Sequence, residues 1–478
     1  VERLIMLKIA GEIGTKSPRT RRRFLRVLVR NVRAALERHG VRGRVRPQWS
    51  RLRVETEDHA RATEALARVF GLHSISDAVA LRFDSLDDLV DQAAPLFRDR
   101  VAGSTFAVRV KRSGEHPFRS GDVAVALGNA LLADSAGVDL GDPQVEVPLE
   151  IAEGTAYALL DSKAGPGGLP LGVGGRAVSL FSGGFDSPVA AWMAMRRGIV
   201  LDLVVCDLGG CGQVDAALEV ARELATRWAP GAEPPVRVVD LAPVVAALQA
   251  RVEPSIRQVV LKRAMYRAAA LVAGRAGAEA IVTGEALGQV STQTLRNLAV
   301  AEQAAGLPVL RPLIGMDKEE ILVRARSIGT HDASLRVHEH CAIATGRVET
   351  AAKLREVVGA EGVLDDSFIA SAVGRARTVD VTDWSPGPAP AHVVDRILPG
   401  AFVIDVREAE EGPLVPGGHR LPFSRTHEWA PGLAPRRTYV FVCARGNRSE
   451  MVAHQLRGQG LEAFSLAGGL SGLPTRAA

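Results

Sequence analysis

The chain has 478 residues, 47% hydrophobic and 24% charged, the composition of a core-forming protein rather than a disordered one. At about 150 residues per domain, that length predicts roughly three domains. The net charge of only +5 hides an asymmetry, because residues 1–60 hold 16 Lys/Arg against 6 Asp/Glu. A basic end on a mildly acidic body predicts a polyanionic partner there. Four cysteines are too few for a secreted disulfide framework, so each is judged for its chemistry. No stretch approaches the roughly 18 apolar residues of a membrane span, and Val1 to Ala10 lacks a signal-peptide cleavage site. A cytoplasmic protein with no membrane partner is expected.

The apolar run Leu4, Ile5, Leu7, Ile9 predicts a strand. Ser17-Pro18 then supplies an N-cap and a proline at the first helical position. Phe24, Leu28, Val32 and Leu36 recur every four residues and give one apolar stripe ending at Gly40. Arg19, Arg21, Arg22, Arg23, Arg26, Arg30 and Arg33 crowd the other faces. So dense an arginine stretch favours phosphate contact over a merely solvated face. Short strands and helices follow from about residue 52 to 162, an α+β pattern: a strand over Phe106 to Val110, a helix over Asp122 to Ala133, and a closing strand pair at Val145 to Ile151 and Tyr157 to Leu160. Gly165 to Gly175 reads as a linker. Strand and helix then alternate to about residue 375, which predicts a doubly wound parallel sheet with strands at Ala177–Phe181, Val200–Cys206, Val236–Asp240 and Ala280–Thr283. A second linker, Ser385 to Pro390, precedes a compact segment of some 85 residues.

Two loops carry chemistry. The first is Ser182-Gly183-Gly184-Phe185-Asp186-Ser187, between a strand and a helix opened by Pro188. Its glycines let the backbone approach an anion, Ser182 and Ser187 offer hydroxyls, and the helix N–H groups point at the same place. It lacks the Gly-Lys-Ser/Thr ending of P-loop ATPases and resembles the PP-loop of ATP pyrophosphatases. Asp186 would hold magnesium at the phosphates or orient them. Lys262 on a helix, the turn Thr283-Gly284-Glu285-Ala286-Leu287-Gly288-Gln289 with Gln293 beyond it, and Lys318 at a helix start fit the same crevice at the carboxyl ends of the strands. Only seven of the 59 basic residues are lysine, so lysine at these two places is informative.

The second loop is Cys443-Ala444-Arg445-Gly446-Asn447-Arg448-Ser449, between the strand Thr438 to Val442 and a helix from Glu450 to Arg457. A thiolate facing a helix N-terminus and two arginines is stabilised. Together with Val403-Ile404-Asp405-Val406-Arg407-Glu408, Pro416-Gly417-Gly418-His419 and Ala467-Gly468-Gly469, this resembles a rhodanese domain, which carries sulfur as a cysteine persulfide. Four residues, not the five of cysteine phosphatases, separate Cys443 from Arg448, and the smaller ring suits a terminal sulfur. Cys341, in Val337-His338-Glu339-His340-Cys341, has a spacing that matches no common closed zinc site; no metal ligands are assigned, and an exposed thiol that attacks or resolves a persulfide is expected. Cys206 and Cys211 read as core or loop residues.

The order of these modules resembles the tRNA 4-thiouridine sulfurtransferase (ThiI) family over nearly the whole chain. Arg109-Val110-Lys111-Arg112, Leu208-Gly209-Gly210 and Arg311-Pro312-Leu313-Ile314 add to the match. The resemblance implies an α/β multidomain protein: a ferredoxin-like basic module (1–52) and a THUMP-like RNA-binding module (53–165), both α+β; a doubly wound PP-loop ATP pyrophosphatase domain (172–380); and an α/β rhodanese domain (392–478). It implies tRNA as substrate, ATP with Mg2+, and adenylation of uridine 8 at O4. Sulfur would come from a Cys443 persulfide loaded by a cysteine desulfurase, with Cys341 forming a disulfide with Cys443. Lys262, Gly284 and Gln293, with Ser182, Gly183, Gly184, Ser187 and the backbone of Leu180, Phe181, Val205 and Cys206, align with nucleotide-binding positions. Asp186 and Lys318 align with catalytic ones. Many members also pass sulfur to a carrier protein for thiamine thiazole, and members commonly form homodimers. Two other readings are a sulfur carrier serving mainly thiamine synthesis and an RNA-binding protein with vestigial loops.

Overall fold

The computed structural model describes residues 2–48, 51–152, 154–209, 212–337, 348–364, 366–385, 391–444 and 446–472. It divides into two units, one comprising Val1–Gly174 with Arg196–Gly198, the other Gly175–Met195 with Ile199–Ala478.

The first unit is built on one eight-stranded sheet. Its strands are β1 (Glu2–Ile9), β2 (Arg44–Gln48), β3 (Arg51–Glu55), β4 (Leu72–Arg82), β5 (Thr105–Ser113), β6 (Gly137–Val138), β7 (Val145–Ala152) and β8 (Thr155–Ala164), in the order β2-β3-β1-β4-β8-β7-β5-β6. The helix Pro18–Arg38 starts where the sequence places it, with the Ser17 side chain accepting from the Thr20 N–H. Its stripe of Phe24, Leu28, Val32 and Leu36 packs with Ile5, Leu7, Leu52 and Val54. A second core gathers Phe97, Phe106, Leu127 and Leu149. The boundary expected between residues 52 and 53 falls inside β3, and β4 pairs with both β1 and β8. The basic module and the module after it therefore share a sheet. The glycine-rich stretch from Gly165 is also tied down: Gly165 and Gly167 donate to the carbonyls of His73 and Leu72, and the Asn31 amide donates to Leu171 O at 2.9 Å.

The second unit holds two sheets. The strands β9 (Arg176–Leu180), β10 (Val200–Asp207), β11 (Val236–Asp240), β12 (Ala280–Val282), β13 (Val309–Leu310) and β14 (Arg377–Val379) run in the order β13-β12-β9-β10-β11-β14. All neighbours are parallel except β11 and β14. The near-continuous apolar run and burial of β10 suit a parallel sheet covered on both faces. The strands β15 (Val393–Val394), β16 (Phe402–Asp405), β17 (His419–Arg420), β18 (Thr438–Val442) and β19 (Glu462–Leu466) make a parallel sheet in the order β15-β19-β18-β16-β17. No helix among the described residues is long and apolar enough to cross a membrane.

Candidate active site

Strand β9 ends at Leu180, beside Val204 of β10, and the Phe181 N–H donates to Val204 O at 2.9 Å. Leu180, Phe181, Val205 and Cys206 thus lie together at the carboxyl ends of neighbouring strands, where doubly wound sheets bind ligands. The Cys206 thiol is pushed up to about 12, by burial first and then by Asp207, which makes it an inert core group.

The loop turns on Gly183, at φ +81°, where an added Cβ would stand 2.7 Å from the Ala217 Cα. Left-handed backbone and close packing both require glycine there. The N–H groups of Ser182 and Gly183 converge on Ser187 Oγ, each at 3.1 Å, and the Gly184 N–H donates to Ser182 Oγ at 3.4 Å. These bonds fold the loop around Ser187, with its hydroxyl as the acceptor of two successive N–H groups. The helix Asp186–Arg196 begins within the motif, so its free N–H groups face the same space.

Gly284 fastens a second segment to this loop. A Cβ there would lie 2.8 Å from the Asp186 carbonyl carbon and the Ser187 nitrogen. Both lysines expected at the site are present and paired. Lys318 Nζ lies 2.9 Å from Asp186 Oδ1 and 5.5 Å from the centre of the Phe185 ring. Lys262 Nζ lies 2.7 Å from Glu285 Oε1. Glu285, 6% exposed, also accepts from Tyr266 Oη at 2.6 Å, Arg311 Nε at 2.8 Å and Thr283 Oγ1 at 3.2 Å. Burial alone would raise its carboxyl, but Lys262, then Tyr266 and Arg311, hold it at about 2. Gln293 follows the same turn, its carbonyl accepting from the Gly288 N–H at 2.9 Å, and its amide Oε1 is buried with no protein partner. A helix N-terminus, two lysines and an unpartnered buried amide suit a nucleoside triphosphate. Among the described residues no group of three His, Cys, Asp or Glu could hold a metal ion. Asp186 alone fits magnesium that takes most of its ligands from phosphate and water.

At the other sheet, β18 delivers Cys443 to a loop whose helix, Asn447–Gly458, again begins earlier than its apolar pattern implies. Cys443 is 2% exposed. Its Sγ accepts from the Gly446 N–H at 3.1 Å and from Ser449 Oγ at 3.5 Å. Gly446 sits at φ +93°, its missing side chain facing the backbone of Gly468 and Gly469 at 3.1 Å. Leu470 and Ser471 donate to the carbonyls of Cys443 and Ala444. Arg448 forms a bidentate pair with Glu411, which raises the guanidinium further. Asp405, fully buried, is held by Arg407 at 2.8 Å and Arg420 at 3.1 Å.

The sequence matches the family model described as Thiamine biosynthesis protein (ThiI) over residues 172–365, the ThiI ferredoxin-like domain over 4–76 and the THUMP domain over 83–161. A tRNA sulfurtransferase from Desulfurococcus amylolyticus is 40% identical over 474 residues, 98% of this chain and 97% of that one. The chain belongs to the ThiI family. Another ThiI relative, a tRNA sulfurtransferase from Pyrobaculum aerophilum, is 38% identical over 95% of each chain. The crystal structure of a 4-thiouridine synthetase–RNA complex with bound ATP superposes with a TM-score of 0.71 at 26% identity, covering 79% of this chain and 99% of that one.

Within this ThiI chain the structure brings Asp186 to Lys318, and Gly284 to the loop of Ser182, Gly183, Gly184 and Ser187. Lys262 reaches the same turn through Glu285. Cys341, Cys211 and Arg445 lie outside the described residues, as does the linker from Pro386 to Pro390. Both flanks of the stretch containing Cys341 are described. A Cβ on Gly183 would meet Val337 at 3.2 Å, while Thr294 Oγ1 donates to Thr350 O at 2.7 Å and the Asn297 amide to Glu349 O at 2.9 Å. Sequence reasoning missed the hub role of Glu285, its partners Tyr266 and Arg311, and the hydroxyls of Ser449 and Ser465. Glu285 and Arg311 stood inside quoted motifs, whereas Tyr266 and Ser465 carried no local signal.

Proposed function

We propose that the chain is an ATP-dependent tRNA uracil 4-sulfurtransferase, the N-terminal unit binding tRNA and the two loops dividing the chemistry. The carrying observation is the loop at Ser182–Ser187, clamped by Gly284 and flanked by Lys262 and Lys318. A uracil O4 is a poor leaving group. Attack of O4 on the α-phosphorus of ATP releases pyrophosphate and makes O4 part of an AMP ester, which leaves easily. The free N–H groups at the start of the helix Asp186–Arg196 and the two lysines bind the phosphates and offset the charge that develops on them. Magnesium, when bound, supplies further neutralisation, and Asp186 is its candidate protein ligand.

Cys443 carries the sulfur. A cysteine desulfurase loads it as a persulfide, whose terminal sulfur attacks C4 and displaces AMP. The thiolate of Cys341 then attacks Cys443 Sγ, leaving a Cys341–Cys443 disulfide and the 4-thiouridine; an external dithiol returns the disulfide to two thiols. Exposed Arg26, Arg30 and Arg33 line a cavity of about 450 Å³ with Leu25, Val29, Pro47 and Glu37; three guanidiniums against one carboxylate support phosphate contact by this helix. Acting on tRNA places the protein in the cytoplasm. The description of the matching family model favours a second role, passing Cys443 sulfur to a carrier protein for thiamine synthesis.

The test is 4-thiouridine formation in unmodified tRNA with Mg-ATP, cysteine and a desulfurase. The wild type should make product, while Asp186→Ala and Cys443→Ser should make none. Equal product from Cys443→Ser would remove sulfur carriage from this cysteine. Thiazole supply surviving in Asp186→Ala would establish the second role as separate.

A further inference from the structure

Ser449 and Ser465 are 0% and 1% exposed, and neither is assigned a role by the family likeness. Ser449 Oγ has two acceptors in reach, Gly446 O at 2.8 Å and Cys443 Sγ at 3.5 Å. Ser465 Oγ, on β19, also has two, Ser449 Oγ at 2.9 Å and Gly446 O at 3.4 Å. The backbone holds both hydroxyls in place: β19 pairs Ser465 with Phe441 of β18, and the Ser465 N–H donates to His392 O at 2.7 Å.

Each hydroxyl has one proton, so two protons serve three acceptors, and only two arrangements satisfy the carbonyl without spending both protons on it. In the first, Ser449 donates to Gly446 O and Ser465 donates to Ser449. Sγ then receives only the Gly446 N–H. In the second, Ser449 turns its proton to Sγ and Ser465 takes over Gly446 O, so that Sγ has two donors and the buried carbonyl keeps one. The change needs only the rotation of two O–H bonds.

The geometry points to Ser465 as a positioning residue that frees Ser449 to donate to Cys443 when the sulfur is anionic, as thiolate or after persulfide transfer. A neutral thiol gains little from a second donor, whereas a hydrogen bond to a charged group is about twice as strong as one between neutral groups. Without Ser465, turning Ser449 toward Sγ would strand a buried carbonyl. Among the described residues, the charged groups at the loop are Arg448 and Glu450 of its own helix and Glu411 and Glu408 of the turn after β16; burial raises the Glu450 carboxyl to about 7, and its titration is common to wild type and the serine variants.

The inference rests on Cys443 being the sulfur carrier, but its test needs no sulfur. In the full-length protein, alkylation of Cys443 by iodoacetamide is followed by peptide mass across a pH series. Ser449→Ala should move the profile about one pH unit higher than wild type, and Ser465→Ala about half a unit, the fraction expected when one neutral hydrogen bond is lost. Ser465→Thr, which keeps the hydroxyl, should stay with wild type. In Ser449→Ala/Ser465→Ala the second change should add nothing, because Ser465 acts through Ser449. A wild-type profile in Ser465→Ala, an additive shift in the double variant, or a Ser465→Thr profile matching Ser465→Ala would each overturn the role. Separately, wild-type protein that forms no Cys443 persulfide with a desulfurase would refute sulfur carriage while leaving the alkylation result to decide the switch.

Discussion

Replacing Glu285 by glutamine tests whether the four-way contact is a structural pivot of the nucleotide domain. The isosteric amide keeps an acceptor oxygen but loses the charge, and its NH2 would face Lys262 Nζ or Arg311 Nε, at 2.7 and 2.8 Å from the present oxygens. Two routes give the magnitude. The drop of the carboxyl from 4.5 to about 2, at about 1.4 kcal/mol per unit, is worth about 3 kcal/mol. Removing one partner of a buried ion pair costs about 3–5 kcal/mol. A multidomain chain has no single unfolding free energy, so the readout is amide hydrogen exchange in peptides covering β12 and the turn after it. At neutral pH, exchange should be about two orders of magnitude faster in Glu285→Gln, while peptides from β1 and β4 stay unchanged. The sign with pH follows from a depressed carboxyl. The stabilisation is complete above the ordinary value near 4.5 and is lost as the pH falls toward about 2, so the gap between the two proteins should narrow over that window. A difference of less than about fivefold at neutral pH, or a gap that widens with acid, would refute the pivot.

Gly284→Ala places a methyl 2.8 Å from the backbone of Asp186 and Ser187; KM for ATP in the thiolation assay should rise at least about tenfold, since the loop must shift to make room. Ser187→Ala strands the N–H groups of Ser182 and Gly183, and calorimetric ATP affinity should fall by about 1–3 kcal/mol; unchanged affinity would show that the hydroxyl does not shape the loop. Burial alone pushes the Glu450 carboxyl up to about 7, so the folded chain loses stability as pH rises from about 4.5 to 7. Glu450→Gln should therefore slow exchange in the helix Asn447–Gly458 at pH 8, by on the order of 1 kcal/mol once solvent screening is allowed for, with no gain at pH 4.

Local chemistry was legible in the sequence wherever it stayed local. Ser17 caps the helix opened by Pro18, and the main strands of the parallel sheet fall within a residue or so of their expected bounds. Both loop helices start about three residues before their apolar pattern does, at Asp186 and Asn447. Gly183 and Gly446, in the left-handed region, turn the chain so that polar motif residues occupy the first turn, which hydrophobic periodicity cannot register. The pairings of Lys262 with Glu285 and of Ser449 with Ser465 join residues on different elements, so only the fold reveals them. Strand β13, two residues long, and the antiparallel edge β14 are too short or too far along the chain to announce their partners.

The shared sheet of the first unit has a practical consequence. Strand β4 lies between β1 and β8, so a chain cut after residue 52 or after β4 would leave a long strand with unpaired N–H and C=O groups along one side. Such an edge recruits other chains. Either half made alone should precipitate or swap strands, whereas the intact segment to Gly174 pairs β4 on both sides. Proteolysis of the native protein should accordingly spare the region between the two modules, and any RNA the unit binds meets one continuous sheet instead of two tethered beads.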